Sequence, residues 1–552
     1  MDATPPSAWQ GPPPFLAAHL LARLLGEPRW PLIVSSLRLI SRGWRDALGE
    51  ALPALAPPRY RPAEAAAAAA ACFPGLRLLQ LDTPAVDVAG AEARQAQQAA
   101  ALAAICASCS GLRHLIIVGW SLPAGGLQPL ASLAHLSRLD LCNMSLAGGS
   151  GGPALPPLPV RHLRALCPQV GVPELCRLTA LTFLELSAAG RGPQLLLELA
   201  QHLLQLRRLV VADLAGEQCE QLPRLASLST LSSLSLATSA DTLGLPLEPL
   251  LALLSDSGCR LHQLALKAHY GFDRHLPLAA LSGLESLALD TAEVQLAPPS
   301  CVSCLSRLTD LKMNVGAPLH QADSQEVDAF ISTVGRRLMG LRRLALTAAN
   351  HLSEAAMQHI SGLTALTELS ILDAHDFGGR ALEALRPLTC LRRLSLSETS
   401  LNPVALAAVL NDEVEQSGDP LLPALTFLAL HSCRLLSAPD VAGLATSLPS
   451  LRQLRLTGWP HMTLPALQHI FLHSPSLQLL QTDWRPPAAP HSTAGAEPDA
   501  HQQQELQRFE EAHALCRTRR LQLQHSLDQA VFEHAARFEA ALTEAASEAL
   551  PT

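Results

Sequence analysis

Aromatic side chains are scarce in this chain: they make up 3% of its 552 residues, while hydrophobic residues as a whole reach 48%. Burial must therefore rest on Leu, Ala and Val rather than on large rings. Long apolar runs are missing as well. None reaches the ~18–20 residues of a membrane-spanning helix, and the alanine run at 65–71 is too short and too weakly hydrophobic, so no membrane is expected as a partner. No block of basic residues is present and the net charge is −8, which leaves no footprint for nucleic acid. The opening stretch MDATPPSAWQGPPPF has no basic n-region and is broken by prolines, so no secretory signal is expected.

Catalytic signatures are absent too. There is no GxGxxG, P-loop, GxSxG or HExxH, and the 21 histidines are scattered. The sequence offers no catalytic residue, no metal site and no cofactor. Its 13 cysteines, an odd number without a secretory leader, fit reduced thiols in the cytoplasm or nucleus. Cys106 and Cys109 form one CxxC and Cys301 and Cys304 another, far apart in sequence. Buried small hydrophobes explain them better than a shared zinc site.

What is present is repetition. A chain of this length exceeds one ordinary core and holds either several domains or a solenoid. The stretch GLRRLALTAAN, Gly340 to Asn350, is nearly rewritten as CLRRLSLSETS, Cys390 to Ser400. Both follow L-x-x-L-x-L. The first leucine recurs at Leu181, Leu206 and Leu231 and at Leu341, Leu366 and Leu391, in steps of 25. Leu425, Leu451 and Leu477 follow at steps of 26, Leu261, Leu284 and Leu308 at steps of 23 and 24. More isolated lines start at Leu76, Leu112 and Leu136, and a weaker one lies near Leu163.

Counting the first leucine as position one, positions four and six of each line point one way from a short strand and positions three, five and seven the other. One such strand cannot bury its leucines alone. Stacking copies ~4.8 Å apart joins them into one core, each fully buried leucine contributing ~1.5–3 kcal/mol. The lines from Leu76 to Thr482 resemble the leucine-rich repeat family. That resemblance implies an α/β solenoid over 76–483, with a curved parallel sheet on the concave side and helices on the convex side. Helical spacing in GRALEALRPLTC and VALAAVL fits the returning helices. The longer intervals, Leu308 to Leu341 and Leu391 to Leu425, are expected to hold lengthened helices and loops. Position nine is usually Asn or Cys in the family; Cys433 fits, and most lines have neither.

The ends carry other signals. Residues 1–13 are expected to be disordered. Residues 14–50 read as two helices separated by Gly26, Pro28 and Pro31, and RLISRGWRDAL looks like the closing helix of an F-box. The resemblance implies docking onto a Skp-type adaptor of a cullin ubiquitin ligase, with the repeats binding an unknown protein substrate. Pro14, Leu20, Leu24, Pro31, Leu37, Leu39, Ile40, Trp44 and Leu48 match the motif's apolar framework and are the implied adaptor contacts. The segment departs from the family in PPFLAAHLL, where Leu-Pro and an acidic residue are usual. A helical cap on the first repeat is the other reading of it. Residues 51–75 read as an Ala-rich linker or cap, and 484–501 as a flexible linker. In 502–550, without Gly or Pro, Leu506, Phe509, Leu523, Leu527, Val531, Phe538 and Leu542 recur at helical intervals, predicting a long amphipathic helix.

On the outward positions of the lines, Arg343, Glu368, Arg393, Phe427, His431 and Arg455 make the candidate substrate-binding patch. A shallow face of mixed sign suits a protein better than a small molecule. A ladder of cross-strand charge pairs through Arg343, Glu368 and Arg393 is the other reading. A scaffold without ligase attachment is the alternative function.

Overall fold

The computed structural model describes residues 76–82, 90–146, 155–167, 170–239, 261–268, 281–291, 304–315, 324–349, 352–375, 377–399, 422–433, 436–458 and 476–482. It also describes the short strands Ala54–Leu55 and Gln522–His525 and the single positions 67, 401, 470 and 474. The F-box-like segment 14–50, with every implied adaptor contact from Pro14 to Leu48, lies outside them. So do 1–13, 484–501 and most of 51–75 and 502–550. The described residues divide into two compact units, with the boundary after Ser232.

In the first unit, β1 (Ala54–Leu55), β2 (Leu78–Leu81), β3 (His114–Val118), β4 (Ser121–Leu122), β5 (Arg138–Cys142), β6 (Ser145–Leu146), β7 (His162–Ala165), β8 (Phe183–Ser187) and β9 (Arg208–Leu214) follow in chain order. All pairings are parallel. They run β1–β2–β3–β5–β7–β8–β9, with β4 and β6 forming a separate pair. The weak line near Leu163 proves to be β7, with Val160 at position one and Ala165 at position six, both buried.

The second unit holds β10 (Ser233–Thr238), β11 (Gln263–Ala268), β12 (Ser286–Thr291), β13 (Asp310–Asn314), β14 (Arg343–Thr347), β15 (Glu368–Ile371), β16 (Arg393–Ser397), β17 (Phe427–His431), β18 (Gln453–Thr457), β19 (Leu479–Thr482) and β20 (Gln522–His525). Each pairs in parallel with the next. Leu344, Leu369, Leu394, Leu428, Leu454 and Leu480 stand in one register row. All six are 2% exposed or less. The repeated leucines thus form the continuous core that their spacing demands, and each unit is built as a leucine-rich-repeat solenoid.

Helices return the chain. Ser324–Arg337 fills the long interval before β14 and buries Val327, Phe330, Ile331 and Val334. Gly335 lets that helix approach the next, Glu354–Ile360, because a Cβ there would overlap the carbonyl oxygen of His359. Ser353 caps the second helix by accepting from Ala356 N at 3.1 Å and donates its hydroxyl to the Asp328 carboxylate of the first at 2.6 Å. Leu382 and Leu444, from the helices Gly379–Glu383 and Ala438–Thr446, converge on Leu394, Leu396, Leu428 and Leu430. Across the long interval before β17, β16 and β17 pair directly.

A recurring corner ends the strands. The eighth residue of the line adopts positive φ at Asn143 (51°) and Asp213 (56°) in the first unit. In the second it does so at Ala348 (52°), Asp373 (57°), Glu398 (52°), Ser432 (51°) and Gly458 (72°). After Ala348 and Asp373 the following amide bonds across to the next line, Ala349 N to Leu372 O at 3.0 Å and Ala374 N to Ser397 O at 3.2 Å, while at Glu398 and Ser432 the residue's own amide does so, Ser432 N to Thr457 O at 2.8 Å. These bonds hold non-glycine residues in a left-handed conformation they otherwise avoid.

Two short strands depart from the sequence reading. Within 502–550, expected to be one helix, Gln522–His525 is a strand against Leu479–Thr482. Its Gln-Leu-Gln run alternates with period two, and pairing satisfies the backbone groups that β19 would otherwise leave open. Within the expected linker or cap 51–75, Ala54–Leu55 pairs with Leu78–Leu79 and does the same for β2.

Candidate interaction surface on the sheet

The outward face of the second unit is ordered by register. Position three reads Asp310, Arg343, Glu368, Arg393, Phe427 and Gln453 across successive strands. Signs alternate along the first four. Arg343 Nε pairs with Asp310, and Arg393 Nε lies 3.6 Å from Glu368 Oε1. Both arginines are exposed, Asp310 is half-buried, and solvent-exposed pairs contribute only ~0.2–1 kcal/mol. The charge-ladder reading thus describes the first part of the row, with Asp310 as the partner of Arg343.

Beyond Arg393 the row changes character. The Arg393 guanidinium carbon lies 4.3 Å from the centroid of the Phe427 ring, and that of Arg455 lies 5.9 Å from it. The half-buried ring is therefore flanked by two cations drawn to its π-cloud. Arg455, at position five of β18, is fixed by donating Nε–H to Gln481 Oε1 at 2.8 Å. Burial first, and the Arg393 charge second, hold its pKa below the ordinary arginine value. Bringing two guanidinium groups to one ring leaves a cationic, rigid and partly aromatic spot suited to carboxylates and aromatic rings.

Among the sequence-derived candidates, Glu368, Arg393, Phe427 and Arg455 come together. Arg343 stands in the same row beside Glu368 and bonds away from it. His431 sits at position seven of β17, exposed, its Nδ1 2.7 Å from Thr457 Oγ1. It extends the patch toward the strand ends. Sequence reasoning missed Gln481 and also a second version of the motif in the first unit.

There, Phe183 of β8 stacks on His162 of β7, ring centroids 5.6 Å apart, and the Arg208 guanidinium of β9 lies 5.3 Å from its centroid. Beside them Arg164 and Glu185 pair at 2.9 Å, their side chains only 17% and 21% exposed. The signal was in the sequence: LTFLEL at Leu181–Leu186 and LTFLAL at Leu425–Leu430 put phenylalanine at the same outward position.

Among the described residues, no group of His, Cys, Asp and Glu is placed to hold a metal ion. Cys106 and Cys109 are buried, and burial, then the neighbouring Cys109, pushes the Cys106 thiol up to about 12. Cys304 is exposed, and Cys301 lies outside the described residues. No described helix is long and apolar enough to cross a membrane.

No protein-family model and no curated protein matches the chain. Solved structures do. An internalin, InlF, from Listeria monocytogenes is 17% identical over 64% of this chain and 88% of its own, with a TM-score of 0.33. The yeast complex of Rad7 and Elc1 gives 18% identity over 59% of this chain and 76% of that one, with a TM-score of 0.41. The complex of TLR13 with ssRNA13 gives 16%, 77%, 54% and a TM-score of 0.36 in the same order.

Proposed function

We propose that this chain is a non-catalytic protein-binding subunit. The outward face of the second unit, centred on Arg393, Phe427 and Arg455, grips a substrate protein. The N-terminal segment, with Leu37 and Trp44, docks onto a Skp-type adaptor and so onto a cullin ubiquitin ligase. Function then comes from proximity: a captured target is held at high effective concentration beside the ubiquitin-carrying partner.

The observation that carries the binding reading is the Phe427 ring on the outward face with Arg393 4.3 Å from its centroid. Aromatic and arginine anchors of this kind dominate protein interfaces. The ligase attachment rests on the F-box resemblance of residues 14–50 preceding a leucine-rich-repeat solenoid.

The test is co-purification of the full chain with a Skp-type adaptor. The wild type retains the adaptor, and Trp44→Ala or Leu37→Ala loses it while circular dichroism of the solenoid stays unchanged. Failure of the folded wild-type chain to retain any adaptor rejects the ligase reading and leaves a scaffold without ligase attachment.

A further inference from the structure

Position two of the lines, at the N-terminal edge of the sheet, carries a pattern independent of the outward face. In the second unit it reads Arg342, Thr367, Arg392, Thr426 and Arg452 on consecutive lines. In the first it reads Arg113, Ser137, Arg161, Thr182, Arg207 and Ser232. Arginine and hydroxyl alternate along each of these runs, which are bounded by Arg77 in the first unit and by Glu285 and Thr309 on one side and Gln478 on the other in the second.

The hydroxyls have a defined role. Thr367 Oγ1 donates to Arg342 O at 3.0 Å and Thr426 Oγ1 to Arg392 O at 3.1 Å. In the first unit Thr182 Oγ1 donates to Arg161 O at 3.2 Å and Ser232 Oγ to Arg207 O at 3.2 Å. Each hydroxyl proton is thereby committed inward, leaving the oxygen lone pairs as acceptors at the surface. The arginines are the complement. Arg342, Arg392 and Arg452 are exposed, and none of them is in an ion pair among the described residues.

A groove of about 780 Å³ runs along this edge, lined by Arg392, Thr426, Ser450, Arg452, Ser476 and Gln478 among others, with no carboxylate in its lining. In a chain of net charge −8, a groove of cations, hydroxyls and amides selects an anionic occupant. Spacing selects its form. Arginines on alternate strands recur every two strand separations, ~9.6 Å. A polyproline II peptide repeats its face every three residues, ~9.3 Å. Between successive arginines a surface hydroxyl oxygen accepts a hydrogen bond, which a peptide N–H can donate and a phosphodiester backbone cannot.

We propose that the edge from Arg342 through Arg392 to Arg452 binds an extended acidic segment of a partner protein, carrying a carboxylate at every third residue. Each carboxylate meets one guanidinium, and intervening peptide N–H groups meet Thr367 and Thr426.

Fluorescence anisotropy with the full chain tests this. The probes are a labelled peptide of repeating Pro-Ala-Glu, whose alanines supply the intervening N–H groups, an isomer with its glutamates grouped at one end, and a single-stranded oligothymidylate. The periodic peptide is expected to bind, and the isomer to bind at least about fivefold more weakly. In the double variant Arg392→Gln/Arg452→Gln, affinity for the periodic peptide should fall about tenfold or more, the loss of one to two charge-assisted contacts. These side chains are exposed, so an unchanged thermal transition is expected alongside. Absence of binding, equal binding of the two peptides, or an unaltered affinity in the double variant overturns the proposal. Tighter binding of the oligothymidylate with the same arginine dependence also overturns it, in favour of a nucleic-acid groove.

Discussion

Arg393 is shared between two neighbours of opposite kind: its Nε lies 3.6 Å from Glu368 Oε1, while its guanidinium carbon lies 4.3 Å from the centroid of Phe427. The carboxylate on one side and the ring on the other orient the guanidinium without burying it. A double-mutant cycle of Arg393→Ala and Phe427→Ala, followed by urea denaturation, should give a coupling energy of about 0.5–1 kcal/mol, the range for cation–π pairs at exposed sites. A value near zero would mean that the two side chains are merely adjacent.

Among the described residues of the second unit, the corner after β18 is the one where glycine meets both a conformational and a steric demand. Gly458 has φ of 72°, and a Cβ there would overlap the Ser432 hydroxyl of the preceding corner. Gly458→Ala should therefore destabilise the protein by about 1–3 kcal/mol, read as a lowered denaturation midpoint. At Ala348, φ 52° with alanine already present, the reverse change to glycine should be neutral or stabilising.

Gly335 sets two effects against each other. Helix propensity alone makes Gly335→Ala favourable by ~1 kcal/mol. The overlap with His359 O, a backbone atom in the adjacent helix, opposes it. Backbone cannot swing aside as a flexible side chain can, and overpacking costs ~1–3 kcal/mol. The expected outcome is a lower melting temperature, and a raised one would show that the two helices separate at no cost.

Burial makes Cys106 a pH reporter. Its thiol pKa stands at about 12 against 9.0 for an ordinary cysteine. Between these values the unfolded chain releases a proton that the folded one keeps, so stability contributed by the neutral thiol is full below pH 9 and is lost as pH rises toward 12. Cys106→Ala should flatten this alkaline decline. Cys304 and Cys390, both exposed, should be alkylated in the folded protein at pH 8, and Cys106 only after denaturation, as followed by mass spectrometry.

Leu394→Ala should cost about 2–5 kcal/mol, since that side chain is 1% exposed and stands in register between Leu369 and Leu428. Ser395→Ala, one residue along on the outward face, should cost less than ~0.5 kcal/mol. Paired urea titrations compare the two.

The difference between those two neighbours is what the sequence made legible. Period-two alternation within a line fixes which residues turn inward, and a step near 25 fixes which inward residues become neighbours. Leu344, Leu369 and Leu394 could be placed together on that basis alone. The pairing partners of long side chains were not legible, because they depend on reach and rotamer. Arg343 stands between Asp310 and Glu368 in register, and only coordinates reveal that it turns to Asp310. The cover of Phe427 is not legible for a similar reason, since it comes partly from Arg455, a different position on the neighbouring strand. Gln522–His525 escaped notice because a lone Gln-Leu-Gln run is too short to outweigh the helical spacing around it.

Successive lines begin as little as 21 residues apart, as at Val160 and Leu181, and as much as 36, as at Leu76 and Leu112, yet the strands they start pair residue for residue. The ribbon is indifferent to the length of the detour between its rungs. Such a chain can gain or shed residues on its return path without disturbing the side chains it displays, so the backs of its turns and its outward face are free to diversify independently.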